Sequence, residues 1–370
     1  MSSLAIKTNG SKRLSSEEAL ELFERSDLSE LASLANQKRR ELVPGNTVTY
    51  LIDRNINYTN VCNSDCSFCG FYRPNSKHPE SYVLSREDLE LKISEALELG
   101  ATRILLQGGH NDDLPYDFYP EMIHWITSKF DIEVNSFSPS EIHQMHIVSQ
   151  KSYEEILREL QQAGMKGLPG GGAELLVDEV RKKVSPKKIG KDIWLEVMEI
   201  AHSLNLTTTA TMVIGFGESY EQRVAHLQEL RALQDRSLKN GYEGFNAFIS
   251  WTLQHNENTS MGRSRHKTNY GADSTQYLRN VAVGRLFLDN ILHHAASWPT
   301  LGTEIGKIAL SYGCDDFGST MMEENVVSQA GALTLNKWSM SPEELQETIK
   351  AAGFIPAQRD TSYRIVKQFE

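Results

Sequence analysis

Three closely spaced cysteines constrain this chain more than any other feature. Cys62, Cys66 and Cys69 have the spacing C-x3-C-x2-C, they follow a strand-like run, and the aromatic Phe68 precedes the last of them. Thiolates are soft ligands that suit iron–sulfur clusters, zinc or copper. A four-iron cluster held by only three cysteines keeps one iron free to bind a substrate or cofactor. The spacing therefore predicts an iron–sulfur site with an open position.

A structural zinc site is the alternative for the same cysteines. Zinc requires a fourth ligand, and Cys314 and His78 are the candidates to supply it. The paired C-x2-C arrangement that is typical of zinc sites is absent from the sequence. Cys314 lies far from the other cysteines in the sequence. We therefore interpret it as a small buried hydrophobic residue rather than as a ligand. The compact triplet favours the cluster.

Composition and charge exclude several classes of function. The formal net charge of −11 disfavours binding to nucleic acid and to anionic membranes. No apolar stretch is long enough for a membrane span, and no secretory signal is evident, so we expect a cytoplasmic protein without membrane insertion. The strongest basic run, Arg181-Lys182-Lys183 with Lys187-Lys188, is interpreted as a solvated helix end.

Short β-rich runs alternate with helical stretches from residue 47 onward. This alternation predicts a (β/α)8 barrel of the TIM type. The predicted division is an N-terminal helical extension over 1–46, a barrel core over 47–330 and a C-terminal extension over 331–370 that packs on the barrel. Predicted strands span residues 47–53, 103–107, 132–136, 167–168, 207–214, 244–251, 297–301 and 315–318.

Helices are expected at residues 15–43, 85–99 and 153–163 and after Ser341. The pair His293-His294 also lies in a predicted helical stretch, where a structural or exposed role is expected. In such barrels the loops that follow the strands gather at one mouth and carry the chemistry. The cysteine loop is the first of these loops.

Several segments between Ile56 and Gly331 together resemble the radical S-adenosylmethionine enzymes. More narrowly, they resemble the family of the cyclic dehypoxanthinyl futalosine synthases, aminofutalosine synthases and deazaflavin synthases. The resemblance rests on INYTNVCNSDCSFCGFYR, ILLQGGHNDDLPYDFY, SFSPSEI, LPGGGAELLVDEVRKKVSPKKI, TTATMVIGFGES, FISWTLQHNENT and DDFGSTMMEENVVSQAG. Within that family, SPKKI, WLEVM and FISWT look most like the cyclising enzymes of the futalosine route to menaquinone.

The resemblance implies a [4Fe-4S] cluster on Cys62, Cys66 and Cys69 whose fourth iron is chelated by S-adenosyl-L-methionine. Cleavage of this cofactor would yield a 5′-deoxyadenosyl radical that takes a hydrogen from the ribose of the substrate, dehypoxanthine futalosine. The sugar radical would then close on the aromatic ring. The resemblance also implies a reductant protein such as flavodoxin or ferredoxin.

The resemblance to the same family also implies which residues bind the cofactor. Gln107, Gly108 and Gly109 resemble the segment that approaches the methionine moiety, although a strand-to-loop turn would equally use glycine. Glu174 resembles a ligand-contacting acid, with an ordinary surface carboxylate as the alternative. Gly215 resembles the residue that borders the adenine, although it could equally be a turn glycine, and Phe68 is expected beside the cofactor.

A proton must leave the substrate, so a base is expected at the mouth. Asp316 and Glu218 are the preferred candidates, with Asp315 and His255 as others, and Asp316 could instead cap a helix. Trp251, Ser319 and Thr320 are the expected substrate contacts, although Trp251 could equally be a packing residue. The alternative functions are aminofutalosine synthase, deazaflavin synthase and, from another class, a non-catalytic iron–sulfur or zinc module.

Overall fold

The computed structural model describes residues 13–323, 325–331 and 339–369. Its strands are β1 (Thr47–Leu51), β2 (Asp53–Asn57), β3 (Arg103–Gln107), β4 (Glu133–Ser136), β5 (Gly167–Leu168), β6 (Thr207–Ile214), β7 (Phe245–Thr252), β8 (His293–Ala295), β9 (Asp316–Ser319), β10 (Ile355–Arg359) and β11 (Ile365–Gln368). The helices before β6 are α1 (Ser16–Arg25), α2 (Leu28–Leu42), α3 (Arg86–Glu98), α4 (Phe118–Lys129), α5 (Pro139–Ser149), α6 (Tyr153–Ala163), α7 (Asp178–Val184) and α8 (Lys191–Ser203). Those after β6 are α9 (Tyr220–Lys239), α10 (Ser274–Phe287), α11 (Trp298–Leu301), α12 (Thr303–Leu310), α13 (Val326–Ala330) and α14 (Pro342–Ala351).

The strands form one curled, mostly parallel sheet with the order β11-β10-β1-β9-β8-β7-β6-β5-β4-β3-β2. β1 and β2 are two halves of a single segment that is interrupted at Ile52. β1 pairs with β9, and β2 pairs with β3, so the sheet curls round until its ends meet on this segment. The predicted (β/α)8 barrel of the TIM type is confirmed.

The predicted strand at residues 297–301 is wrong. The strand at that place is β8, only three residues long, and Trp298–Leu301 is the short helix α11. Pro299 fits the first turn of a helix because its missing N–H would have no partner there. His293 and His294 lie in β8 rather than in a helix, and three residues are too few to show a strand periodicity.

Two N-terminal helices precede the barrel, as predicted. Ser15 caps α1, and its hydroxyl and the Glu18 carboxylate form a capping box. Phe23 of α1 stacks on Tyr220 of α9, with ring centroids 5.0 Å apart. The buried Arg39 of α2 donates hydrogen bonds to the carbonyl oxygens of Gly45 and Thr47, which fixes the entry into β1.

The chain after the barrel adds two strands that the sequence patterns did not predict. β10 pairs in parallel with β1, and β11 pairs antiparallel with β10. The turn between them lies at the amino end of the barrel strands, where Asn246 of β7 donates to the Thr361 carbonyl. Tyr363 stacks on His293 with ring centroids 3.7 Å apart. The β10–β11 turn therefore closes the end of the barrel opposite the mouth, while residues 332–338 of the predicted C-terminal extension lie outside the described residues.

Candidate active site

The loops that follow the strands converge at the mouth, as the barrel requires. The N–H of Ser67, in the cysteine loop, donates to the Val184 carbonyl at the end of α7. The carbonyl of the same serine accepts from the N–H of Met261, in the loop after β7. Gly109, after β3, donates to the Thr59 carbonyl. Loops that are distant in sequence thus hold the cysteine loop from three sides.

The cysteine loop presents its thiols to one another. Cys66 is buried and the other two cysteines are half-buried. Burial raises the pKa of the Cys66 thiol to about 12, and the nearby sulfurs of Cys69 and Cys62 raise it further. Burial also raises the pKa of Cys69, although hydrogen bonds from the backbone amides of Tyr72 and Phe71 oppose that rise. Amides directed at a sulfur favour its thiolate form, as cluster ligation requires.

The zinc alternative has no support in this geometry. Among the described residues, no three His, Cys, Asp or Glu side chains could hold a metal ion together. Cysteines that bind different irons of one cluster stand farther apart than ligands of a single ion, so this finding does not conflict with a cluster. Cys314 is fully buried beside Arg285 and Asp315, at the start of β9. The three-cysteine loop therefore fits an iron–sulfur cluster better than zinc.

Gly108 and Gly109 are required by packing against the cysteine loop. A Cβ on Gly109 would lie 2.1 Å from the Val61 carbonyl oxygen and 2.8 Å from the Cβ of Cys62. A Cβ on Gly108 would lie 2.5 Å from the Tyr58 ring. Gln107 donates to the carbonyl of Phe137, 3.0 Å away, and so joins the loops after β3 and β4. The glycine pair lets the backbone after β3 approach the first cysteine.

Glu141 is a site residue that the sequence analysis missed. Its carboxylate accepts from the Tyr58 hydroxyl at 2.8 Å, the Gly108 N–H at 2.9 Å and the Ser138 hydroxyl at 2.8 Å. Burial raises its pKa to about 7, although these three donors oppose the rise. Ser138-Pro139-Ser140-Glu141 has the pattern of a helix start, which conceals the contact with the loop after β3. Glu141 thus supports both Gly108 and Tyr58 beneath the cysteine loop.

We predict that Glu141→Gln removes the contribution of this carboxyl to the pH dependence of the free energy of unfolding. The folded pKa of about 7 lies above the ordinary value of 4.5, so the folded protein binds the proton more tightly. Glu141 therefore stabilises the protein fully below pH 4.5, and that contribution declines as pH rises through 7. The free energy of unfolding of wild type relative to the variant should fall by up to about 3 kcal/mol across this window. Urea denaturation from pH 4.5 to 8 measures it, and a pH-independent difference would contradict the prediction.

A buried charge cluster lies beside the cysteines, built from Glu174, Lys188 and Arg181. The Lys188 ammonium donates to the Glu174 carboxylate at 2.6 Å, and Arg181 lies 3.4 Å from its other oxygen. Burial alone would raise the pKa of Glu174, but the charges of Lys188 and Arg181 outweigh burial and lower it. Burial alone would lower the pKa of Lys188, but Glu174 and Cys66 outweigh it. The alternative of an ordinary surface carboxylate for Glu174 is thereby excluded.

Lys188 is expected to tune the cysteine site, because its positive charge acts on Cys66 and Cys69. We predict that Lys188→Met retains the cluster but makes its reduction potential more negative by about 50 mV, the one-electron equivalent of roughly 1 kcal/mol. The control is Lys187→Met, because Lys187 is 61% exposed and pairs only loosely with Asp65. A redox titration followed by electron paramagnetic resonance measures both variants, and equal potentials would contradict the prediction.

Glu218, Gly215 and Phe68 lie at or against the loop after β6. The Glu218 carboxylate is bound there by backbone amides and by an arginine. Its carboxylate accepts from the N–H groups of Gly215 and Phe216 and pairs with Arg223 at 2.8 Å. Gly215 has a φ of +109°, and a Cβ there would lie 2.8 Å from the backbone of Gly271. The Phe68 ring packs on Phe216 with centroids 5.3 Å apart. Glu218 thus shapes the loop after β6, and this geometry favours that role over a base.

Asp316 lies away from the mouth. It is fully buried, paired with Arg359 of β10, and accepts from the Thr49 hydroxyl at 2.6 Å. Asp315 is likewise buried between Arg285 and His293. His255, at the mouth, contacts the Lys267 carbonyl at 3.2 Å. Both aspartate carboxylates are bound by structural partners, and this geometry favours a structural role over that of a base for each.

The three expected substrate contacts differ in their hydrogen bonding and exposure. Thr320 is buried, and its hydroxyl donates to the Asp53 carbonyl at 2.7 Å and accepts from the Asp53 N–H at 3.0 Å. The Ser319 hydroxyl accepts from the N–H of Met321 at 3.3 Å. Trp251, on β7, is half-buried against the core. The threonine joins β9 to the first barrel segment, whereas Trp251 keeps part of its surface exposed.

A parallel barrel with a C-x3-C-x2-C loop at the carboxyl end of its first strand defines the radical S-adenosylmethionine class of enzyme. Residues 56–230 match the family model of the Radical SAM superfamily, and residues 242–370 match that of the CofH/MqnC C-terminal region. The chain belongs to this superfamily, in the branch that carries the CofH/MqnC C-terminal region. Enzymes of the superfamily use a [4Fe-4S] cluster and S-adenosylmethionine, which the three-cysteine loop fits.

Three relatives match most of the chain. The cyclic dehypoxanthine futalosine synthase of Halalkalibacterium halodurans is 46% identical, over 97% of this chain and 93% of its own length. The enzyme of that name from Streptomyces coelicolor is 40% identical, over 95% of this chain and 85% of its own length. The aminodeoxyfutalosine synthase of Thermus thermophilus is 33% identical, over 99% of this chain and 96% of its own length.

Two solved structures share the fold. Methylornithine synthase (PylB) has a TM-score of 0.71 at 16% identity, covering 94% of this chain and 95% of its own. The [FeFe]-hydrogenase maturase HydG has a TM-score of 0.73 at 18% identity, covering 94% of this chain and 73% of its own. Among the described residues, no helix is long and apolar enough to cross a membrane.

Proposed function

We propose that this protein converts dehypoxanthine futalosine to cyclic dehypoxanthine futalosine in menaquinone biosynthesis, in the cytoplasm. The observation that carries the proposal is the 46% identity, over 97% of the chain, to an enzyme of that name. The cysteine loop at the mouth of a barrel supports the same reaction class. The residues at the mouth would then bind a cluster, a cofactor and a small substrate within one enclosed space.

The cysteine loop supplies the cluster ligands. Cys62, Cys66 and Cys69 would hold three irons, and the fourth would be left for S-adenosylmethionine. When bound, the cluster and this cofactor supply a 5′-deoxyadenosyl radical. The Phe71 and Tyr72 amides stabilise negative charge on the Cys69 sulfur, and Lys188 places a compensating positive charge nearby.

The surrounding loops would position the two small molecules. We infer that Gln107, Gly108 and Gly109 border the methionine part of the cofactor, and that Phe68 and Gly215 border its adenine. Glu174 is held by Lys188 and Arg181 at the carboxyl end of β5, in reach of the same mouth. Trp251 offers a partly exposed ring on which an aromatic substrate can stack.

The test is anaerobic turnover with reconstituted protein. Dithionite, S-adenosylmethionine and dehypoxanthine futalosine are added, and the products are followed by mass spectrometry. Formation of 5′-deoxyadenosine together with a cyclised substrate supports the proposal. Formation of 5′-deoxyadenosine without cyclised product would retain the enzyme class and reject the substrate; turnover of the substrates of aminofutalosine synthase or deazaflavin synthase would then identify the sister activity. Absence of 5′-deoxyadenosine from cluster-loaded protein would reject the catalytic proposal.

A further inference from the structure

One side of the surface beside the cysteine loop has a charge opposite to that of the chain as a whole. Two segments without any acidic residue flank the loop, namely 181–188 and 258–272. We call their exposed cations the basic rim: Lys182, Lys183, Lys187, Arg263, Arg265 and Lys267. The chain carries a formal net charge of −11, so the basic rim is a local exception.

Both segments of the basic rim are fastened to one residue of the cysteine loop. The Ser67 N–H donates to Val184 at 2.9 Å, and its carbonyl accepts from Met261 at 2.8 Å. Ser67 directly follows Cys66 and stands two residues before Cys69. The rim is therefore held against the part of the cysteine loop that lies between Cys66 and Cys69, and it does not belong to a remote helix end.

Few carboxylates neutralise the basic rim. Lys187 lies 3.6 Å from Asp65, a weak pair because both groups are more than half exposed. Lys183 lies over the Tyr270 ring at 5.7 Å, a contact that leaves its charge uncompensated. The exposed Glu257 is the nearest acid along the chain to Arg263, which binds its backbone carbonyl rather than its carboxylate. The positive charge is therefore available to a partner.

Cys69 is accessible from the side of the basic rim. A cavity of about 240 Å³ is lined by Cys69, Gly70, Arg73, His78 and Arg263, together with neighbouring polar residues. Arg73 is already paired with Glu80, whereas Arg263 forms no ion pair with a carboxylate among the described residues and donates to the Glu257 carbonyl. One cysteine of the site thus reaches the outer surface next to the rim, and an electron can enter there without passing through the barrel mouth.

We propose that the basic rim is the docking surface for a small acidic protein that carries one electron, such as a reduced flavodoxin. This inference rests on the proposed function, which requires a reductant. In the docked complex the carrier is oxidised by one electron and the bound cluster is reduced by one. The net charge of −11 repels acidic proteins elsewhere, so the rim confines their approach to the cysteine loop. The same net charge disfavours nucleic acid as the occupant.

The test compares two electron sources in cluster-loaded protein. The variants are Lys182→Glu with Lys183→Glu, and separately Arg265→Glu with Lys267→Glu. The control, Arg40→Glu with Lys239→Glu, makes the same charge change in the last turns of α2 and α9, at the opposite end of the barrel. Formation of 5′-deoxyadenosine is measured with dithionite and with a strongly acidic flavodoxin that is kept reduced by its reductase and NADPH.

Each rim variant should raise the KM for flavodoxin about tenfold at low salt, with a smaller difference at high salt. Its dithionite-driven rate and its KM for the substrate should match those of the control. Rim variants that match the control with flavodoxin would overturn the proposal. A raised KM for the substrate with dithionite would also overturn it, because the rim would then attract the substrate.

Failure of the proposed function is a separate result. Wild-type protein that forms no 5′-deoxyadenosine with dithionite would reject that function. Binding of oxidised flavodoxin, measured by surface plasmon resonance, tests the rim without turnover. Weaker binding to both rim variants than to the control supports docking, and equal binding to all of them overturns it.

Discussion

Cys66→Ala is expected to abolish turnover and to lose the cluster. Cys66 is the buried member of the triplet, and its neighbours Cys69 and Cys62 cannot complete three-iron ligation without it. Anaerobically reconstituted wild type should hold about four irons per chain, and the variant far less. The release of 5′-deoxyadenosine should fall more than about 100-fold, because removing a metal ligand removes the metal chemistry with it. Iron and sulfide content, with mass spectrometry of the products, measures both effects.

Cys314→Ala is the matched control for that loss. This thiol is also buried, but it lies beside Arg285 and Asp315 at the start of β9, in the core rather than in the cysteine loop. The substitution should leave the iron content unchanged and cost about 1 kcal/mol of stability through the small cavity that it creates. Loss of iron from the Cys314 variant, or full iron in the Cys66 variant, would contradict the assignment of the cluster ligands.

Arg359→Met is expected to lower the free energy of unfolding by about 3–5 kcal/mol, the usual cost of leaving a buried charge without its partner. The Arg359 guanidinium pairs with the fully buried Asp316 and lies 3.9 Å from the centroid of the Tyr363 ring. Among the described residues, Asp316 would retain as donors the Thr49 hydroxyl and the Gly318 amide. Urea denaturation of the metal-free protein measures the loss.

Arg364→Ala is the control in the adjoining β10–β11 turn, since Arg364 is 79% exposed and pairs with Asp360. It should cost less than about 1 kcal/mol. Adding Asp316→Leu to Arg359→Met should restore much of the lost stability, because both buried charges are then removed. Equal costs for the two arginine variants would show that Arg359 and Asp316 do not form a buried pair in solution.

The Arg359–Asp316 pair also explains why the sequence suggested a base at Asp316, where the structure shows an ion pair. The segment DDFGST follows the pattern of a strand that ends at the barrel mouth, and an acid there suggests a base. Asp316 begins β9, however, and its partner comes from β10, 43 residues later. Nothing near Asp316 in the sequence indicates that partner. Only the pairing of β10 with β1 brings the arginine to the aspartate.

The sequence pattern did not indicate the charge clusters at the mouth either. The local pattern of Lys187-Lys188 predicts two equivalent exposed residues, yet Lys187 is 61% exposed and Lys188 is 13% exposed. The sequence pattern predicts that Glu141 is an ordinary acid in the first turn of a helix. In the structure its carboxylate accepts a hydrogen bond from the Gly108 N–H, in the loop after β3. Periodicity and capping describe neighbours along the chain, but the pKa of a carboxyl depends on groups brought near it from other loops.

The sequence by itself determined the features that depend on local spacing. The C-x3-C-x2-C triplet specified the cluster chemistry, and the alternation of strands and helices specified the barrel, since both are fixed by residues a few positions apart. The tertiary structure alone decided what surrounds the cysteines and what closes the far end of the barrel. Lys188, Glu141 and the β10–β11 turn acquire their roles from contacts between distant segments, and burial and charge in a folded protein are sums over such contacts.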